Sequence, residues 1–216
     1  MKRQKHTVLE KINLTPETFV IRLDRQGMKF EPGQYVIIRI PGQNKGREYS
    51  IYSGINDEYL DFLVREIPEG EFSRYLRHLT AGSELDVEGP KGYFIPDQKT
   101  REGQPVMLIA TGTGISPFHS YVRSVPGLNY RVLHGVHFAD EAYGRATFDQ
   151  DKYVLCTSRS DKGDYFGRVT YYLKEHPVDP STICYLCGNS EMINEVTVLL
   201  EKSGFPPQNI RTEVFF

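Results

Sequence analysis

The chain has 216 residues, a formal net charge of −2 and 39% hydrophobic residues, which suits one large or two small globular domains with real cores. Its basic and acidic residues are interspersed, which excludes a basic nucleic-acid stripe or an acidic tail. No window approaches the ~18–20 apolar residues of a membrane span, and the start MKRQKHTVLEK has charge but no apolar run of the kind a secretory signal needs. The three cysteines are an odd number, which speaks against a disulfide framework, so a cytoplasmic location is expected.

In chain order, TVLEKINL, TFVIRLD, QYVIIRIP, REYSIYS, YLDFLVREI and ELDVEGPKGYFI are short β-rich runs separated by Gly, Pro or polar breaks. They predict an antiparallel β-barrel or sandwich over residues 1–98. After the polar DQKTREGQ the pattern becomes an alternation of strands and helices over residues 104–216. The strands are PVMLIATG, NYRVLHGVHF, YVLCTSR, TICYLCG and NIRTEVFF. Helices are predicted from about Pro117, near ADEAYG, in GRVTYYLKEH and over 191–202. Such alternation implies an α/β domain whose parallel sheet is covered by helices. In the last helix Ile193, Val196, Leu199 and Leu200 make one apolar face, Lys202 suits the negative C-terminal end, and Gly204 with Pro206 stops it.

Cys184 with Cys187, and His134 with His137, have the spacing of metal or redox pairs. Both pairs lie in β-rich runs, where residues three apart face opposite sides of a strand, so no metal site is expected.

ATGTGISPF, residues 110–118, follows a buried strand. Gly112 and Gly114 lack the Cβ atoms that would keep a ligand from the backbone, Ser116 suits a helix cap, and Pro117 suits the first turn. A strand–turn–helix of this kind offers N–H groups and a positive helix end to an anion such as a pyrophosphate. Pro117 stands where an ordinary dinucleotide fingerprint has its third glycine, and no acidic residue follows at the ribose-binding distance, so a plain glycine turn is the other reading. In REYS, Arg47 offers a forked cation to phosphate, and Tyr49 and Ser50 offer a flat face and a hydrogen-bond donor to a planar heterocycle. The other reading is an exposed Arg and a half-buried Tyr on a surface strand.

REYS, GPKGYF, ATGTGISPF, TSR, LCGNSEMI and EVFF occur in the order and spacing of the ferredoxin–NADP reductase superfamily, and the chain resembles a compact, bacterial-type member along essentially its whole length. The resemblance implies an FAD-binding antiparallel β-barrel followed by a nucleotide-binding α/β domain, with the flavin between them. Arg47 would hold the FAD pyrophosphate, Tyr49 would stack on the isoalloxazine, and Ser50 would donate toward flavin N5. EGEFSRYL resembles a second phosphate loop, with Gly70 at its turn and Ser73 as a pyrophosphate ligand or simply a helix cap. Gly92 and Phe94 of GPKGYF would line the flavin's other edge or form a tight turn between strands.

In the second domain Gly112, Thr113, Gly114 and Gly188 would bind the nicotinamide nucleotide. A 2′-phosphate suits arginine forks beside a hydroxyl, which makes Ser158, Arg159 and Arg168 candidates for selecting NADPH over NADH. Cys187 resembles the cysteine beside the nicotinamide, and Glu213 the acidic residue near the chain end. Ser50, Cys187 and Glu213 are thus the candidate catalytic residues. Phe215 matches the family's terminal aromatic, but this chain ends one residue later, so Phe215 or Phe216 would cover the flavin, or Phe216 would reach the adenine instead. The implied activity moves electrons between NADPH and ferredoxin or flavodoxin by hydride transfer to or from flavin N5. The alternatives are the reductase component of an oxygenase or an electron-transfer subunit of a larger enzyme. Three cysteines fall short of the four ligands an iron–sulfur cluster normally takes, so a separate acceptor is expected.

Overall fold

A computed structural model describes residues 3–215 of the chain. Its contacts divide into two compact units: Met1–Ile95 with Ser116–Ser124, and Pro96–Ile115 with Val125–Phe216.

In the first unit β1 (Gln4–Asn13), β2 (Thr18–Asp24), β3 (Tyr35–Arg39), β4 (Gly46–Ser50), β5 (Tyr59–Arg65) and β6 (Glu84–Lys91) form one sheet in the order β4-β3-β6-β1-β2-β5. Every neighbouring pair is antiparallel. Alternation sets the inner face: in β3, Val36 and Ile38 are buried while Tyr35, Ile37 and Arg39 are only partly covered. After β4 the chain reaches β5, where the Tyr52 N–H donates to the Asp61 carbonyl at 2.8 Å and the Asp61 N–H donates to Ser53 Oγ at 3.1 Å. These bonds join the two outer strands of the sheet, which is what a barrel requires and an open sandwich sheet does not. Phe19, Ile21, Ile38, Phe62 and Leu76 fill the interior. Leu76 comes from α1 (Glu71–His78), and Lys11 Nζ donates to the Arg77 and Leu79 carbonyls at that helix's C-terminal end.

In the second unit β7 (Val106–Thr111), β8 (Tyr130–Val136), β9 (Tyr153–Thr157), β10 (Tyr165–Phe166), β11 (Ile183–Gly188) and β12 (Ile210–Val214) form a sheet in the order β10-β9-β8-β7-β11-β12. All neighbours are parallel. The interior strand β11, between β7 and β12, is buried throughout, as a strand covered on both faces must be. The helices of this unit are α2 (Gln98–Arg101), α4 (Val169–Glu175) and α5 (Ser190–Lys202); α3 (Ser116–Ser124) packs in the first unit. Helix α5 starts where Asn189 accepts a hydrogen bond from the Met192 N–H at 2.8 Å. Ile193, Val196 and Leu200 are its buried face, Leu199 is partly covered, and Gly204 ends the run at φ +86°. No helix among the described residues is long and apolar enough to cross a membrane.

Two local details differ from the sequence expectation. The helix expected near ADEAYG is only a 3-10 turn, Ala139–Glu141, whose N-terminal amides are taken by the Glu141 carboxylate. Ser116, expected to flank a helix, is instead its first residue. The 3-10 turn Gly112–Ile115 runs straight into α3, and Gly112 at φ +53° supplies the left-handed backbone at which the chain turns out of β7 into it.

Candidate functional site

Each unit gathers its own group of the residues singled out above. In the first unit, pairing places Tyr35 opposite Ser50 on β4 and opposite Lys91 on β6, so Ser50, Tyr35 and the start of the Gly92 turn lie in one row. Gly92, at φ +95°, lies against the Tyr35 ring, and a Cβ there would overlap it. Tyr49 and Phe72 have nearly parallel rings, 6.2 Å apart and 25° inclined, which brings the first turn of α1 beside β4. Burial pushes the Tyr49 phenol above its ordinary range. Ser50 is buried, whereas Arg47 is exposed, donates to the Gly46 carbonyl at 3.1 Å and makes no ion pair among the described residues.

Gly70 is the N-cap of α1 and Ser73 its third residue. The Ser73 hydroxyl accepts from the Ile67 N–H at 3.0 Å, so it braces the turn before the helix rather than capping it. Phe94 is buried against Phe118 and Tyr121, and its carbonyl accepts from the Tyr121 hydroxyl at 2.7 Å. Its neighbour Tyr93 is 96% exposed, so the aromatic face that GPKGYF offers to solvent belongs to Tyr93.

In the second unit the candidates stand at the C-terminal ends of parallel strands, the edge where open α/β sheets bind ligands. Cys187 pairs with Ala110 on one side and Glu213 on the other, which aligns ATG, LCG and EVF. A Cβ on Gly114 would overlap the Cys187 carbonyl, and one on Gly188 would overlap Thr111 Oγ1. The two strand-end loops approach this closely only because both residues are glycine. At Gly112 the space where a Cβ would stand is open, as backbone that receives a ligand must be. Thr113 is partly exposed, and the Phe215 N–H donates to the Gly188 carbonyl at 2.8 Å. Cys187 is completely buried, and its surroundings, with the Glu213 charge added, hold the thiol protonated far above its usual pKa. Phe216 lies outside the described residues.

Phe166 pairs with Thr157, and the Gly167 N–H donates to the Thr157 carbonyl at 2.9 Å. Ser158 and Arg159 therefore leave the sheet beside Gly167 and Arg168. Arg159 and Arg168 are exposed, and neither forms an ion pair among the described residues. Ser158 Oγ is 3.0 Å from His137 Nδ1.

The donor set fits the two cofactors implied. Arg47 is uncommitted to a carboxylate beside a tyrosine face, and the glycine loops leave backbone open above the parallel sheet. Among the described residues no group of three or more His, Cys, Asp or Glu side chains could hold a metal ion. His134 was visible in the sequence only as half of HGVH; its partners, Tyr153 and the Gly112 carbonyl, emerge from the parallel pairing of β7, β8 and β9.

Residues 5–95 match the oxidoreductase FAD-binding domain, and residues 108–197 match the oxidoreductase NAD-binding domain. The chain thus carries the FAD-binding and NAD-binding domains of the oxidoreductase class, in that order. The toluate 1,2-dioxygenase electron transfer component of Pseudomonas putida is 30% identical over 203 residues, covering 87% of this chain and 59% of that protein. Ferredoxin–NADP reductase A of Sorangium cellulosum is 28% identical over 235 residues, covering 94% of this chain and 84% of that protein. A crystal structure of a Neisseria gonorrhoeae ferredoxin NADP+ reductase with bound FAD and NADP matches at a TM-score of 0.88 and 20% identity, covering all of both chains. The chain belongs to the ferredoxin–NADP reductase superfamily. It spans less than two thirds of the length of the dioxygenase components it matches.

Proposed function

We propose that the chain is an FAD-dependent oxidoreductase moving electrons between NADPH and a one-electron carrier, ferredoxin or flavodoxin. The observation that carries this reading is the row Ser50–Tyr35–Lys91, flanked by Tyr49 and an Arg47 free of any carboxylate among the described residues. FAD, when bound, supplies the conversion between the two-electron chemistry of a nicotinamide and the one-electron chemistry of a small carrier.

The protein's part is to bind and orient. Arg47 forks onto the FAD pyrophosphate, with Gly70 and the α1 N-terminus around Ser73 as a second anion contact. Tyr49 lies against the isoalloxazine, Ser50 donates toward N5, and Gly92 with Phe94 shapes the segment along the other edge. Gly112, Thr113, Gly114 and Gly188 admit the nicotinamide nucleotide, with Cys187 and Glu213 bordering its reactive end. Ser158, Arg159 and Arg168 receive a 2′-phosphate, which favours NADPH over NADH. No side chain serves as an obligate general base. The buried thiols of Cys156, Cys184 and Cys187 suit a reducing cytoplasm.

A second reading is the reductase component of an oxygenase, favoured by the similarity to the Pseudomonas putida electron transfer component. Reduction of purified ferredoxin and flavodoxin by NADPH separates the two. Rapid transfer to either carrier supports the first reading. Transfer to neither, with turnover when an oxygenase is added, supports the second.

A further inference from the structure

His134 sits on β8 opposite Ala110 of β7 and Leu155 of β9, and its side chain is completely buried. Nε2 is 2.8 Å from the Gly112 carbonyl and Nδ1 is 2.6 Å from the Tyr153 hydroxyl. A carbonyl only accepts, so Nε2 carries the hydrogen; Nδ1 is then the acceptor and the Tyr153 O–H the donor. The pair of contacts selects one neutral tautomer. Burial reinforces this, lowering the imidazole pKa to about 4.

The consequence lies in the peptide plane. In a trans peptide the C=O and the following N–H point in opposite directions. With the Gly112 carbonyl drawn toward the buried imidazole, the Thr113 N–H of the same plane points in the opposite direction. Gly112 can hold this plane because its φ of +53° lies in the left-handed region.

We propose that His134 is a positioning residue for the nicotinamide nucleotide: locked in one tautomer by Tyr153, it fixes the Gly112–Thr113 peptide so that its N–H faces the bound nucleotide. The inference rests on the nucleotide reading of residues 112–114 given above. His134 touches no ligand itself. A network continues outward from Tyr153: Arg145 lies over the Tyr153 ring at 5.3 Å and donates to both Asp164 oxygens at 2.9 Å. Asp164 belongs to the loop that follows Ser158 and Arg159, so the two nucleotide-contacting loops are braced through one set of side chains.

The test compares His134→Gln, His134→Leu and Tyr153→Phe with the unaltered chain, reconstituted with FAD. Steady-state NADPH oxidation is measured together with the flavin spectrum and Tm. Gln places an amide N–H near the position of Nε2 and Leu does not. His134→Leu is expected to raise the NADPH KM about tenfold, the scale of one lost hydrogen bond that orients a ligand donor, with the flavin spectrum unchanged. His134→Gln should recover most of that loss. Tyr153→Phe, which keeps its volume, should raise KM severalfold and serves as the second arm if His134→Leu does not fold. A KM unchanged in Leu and Phe, or equal losses in Gln and Leu, overturns the positioning role alone. Failure of the unaltered, flavin-loaded chain to oxidise either NADPH or NADH overturns the nucleotide reading with it.

Discussion

The imidazole of His119 lies face to face with the ring of Tyr52, centroids 3.7 Å apart and 7° from parallel, and its Nδ1–H donates to the Tyr52 carbonyl at 2.7 Å. Both residues are buried. His119 is one of a series: Ser120 Oγ donates to the Ser53 carbonyl at 2.7 Å, Ser124 Oγ accepts from the Ile55 N–H at 3.0 Å, and Arg123 pairs with Asp57. Helix α3 thereby satisfies the backbone that continues from Arg47, Tyr49 and Ser50.

Replacing His119 with Ala removes a stacked ring and the Tyr52 carbonyl's donor together. A loss of about 2–4 kcal/mol is expected from these combined effects. Urea denaturation monitored by circular dichroism measures it; a midpoint within error of the unaltered chain's would contradict the packing described.

Acid sensitivity follows from the same residue and from His134. Burial lowers both imidazoles to about 4 from an ordinary 6.5. The folded chain therefore binds fewer protons than the unfolded chain between those values, and stability is full above pH 6.5 and is lost as pH falls toward 4. Two groups shifted by this much imply a loss of several kcal/mol, on the order of 3 kcal/mol each. Denaturation midpoints between pH 7.5 and 4.5 should fall steadily, and the fall should be smaller in His119→Phe. A flat profile would rule out the buried neutral imidazoles.

Gly114→Ala puts a methyl group into the Cys187 carbonyl, so one of the two loops must move. The expected cost is about 1–3 kcal/mol of stability. Nucleotide binding should weaken while FAD binding in the first unit persists. Titration of the flavin-loaded variant with NADP+ reads this directly; unaltered affinity would mean that the loops need not touch.

Arg159→Ala is expected to raise the KM for NADPH about tenfold, the usual scale for a charge-assisted phosphate contact, and that for NADH by less than twofold. Equal changes with the two substrates would remove the 2′-phosphate role from this residue.

Much of the fold was legible because its periodicities are unambiguous. The short alternating strands before residue 98 and the uniformly apolar VMLIAT and ICYLCG after it forced opposite sheet types. The glycines of ATGTG were legible as sites of close approach to a ligand and Gly188 of LCGN only through the family resemblance; that each loop is the other's neighbour was not legible, because it depends on β7 and β11 pairing across about 75 intervening residues. Ser73 was read as a ligand or cap, since a serine before RYL satisfies either pattern; the bond from the Ile67 N–H arises from the fold of the preceding turn. His119 stayed silent, and His134 showed only as half of HGVH, for a related reason. A buried imidazole acts through partners far away in sequence, Gly112, Tyr153 and Tyr52, and no local spacing announces them.

The central claim is that the first unit holds FAD through Arg47 and Tyr49, and the most direct measurement is the visible spectrum of purified, FAD-reconstituted protein during anaerobic NADPH titration. The predicted result is one tightly held flavin per chain, bleached by NADPH, with retention sharply reduced in Arg47→Ala. Protein that stays colourless after incubation with FAD, or that holds the flavin equally well without Arg47, would contradict it.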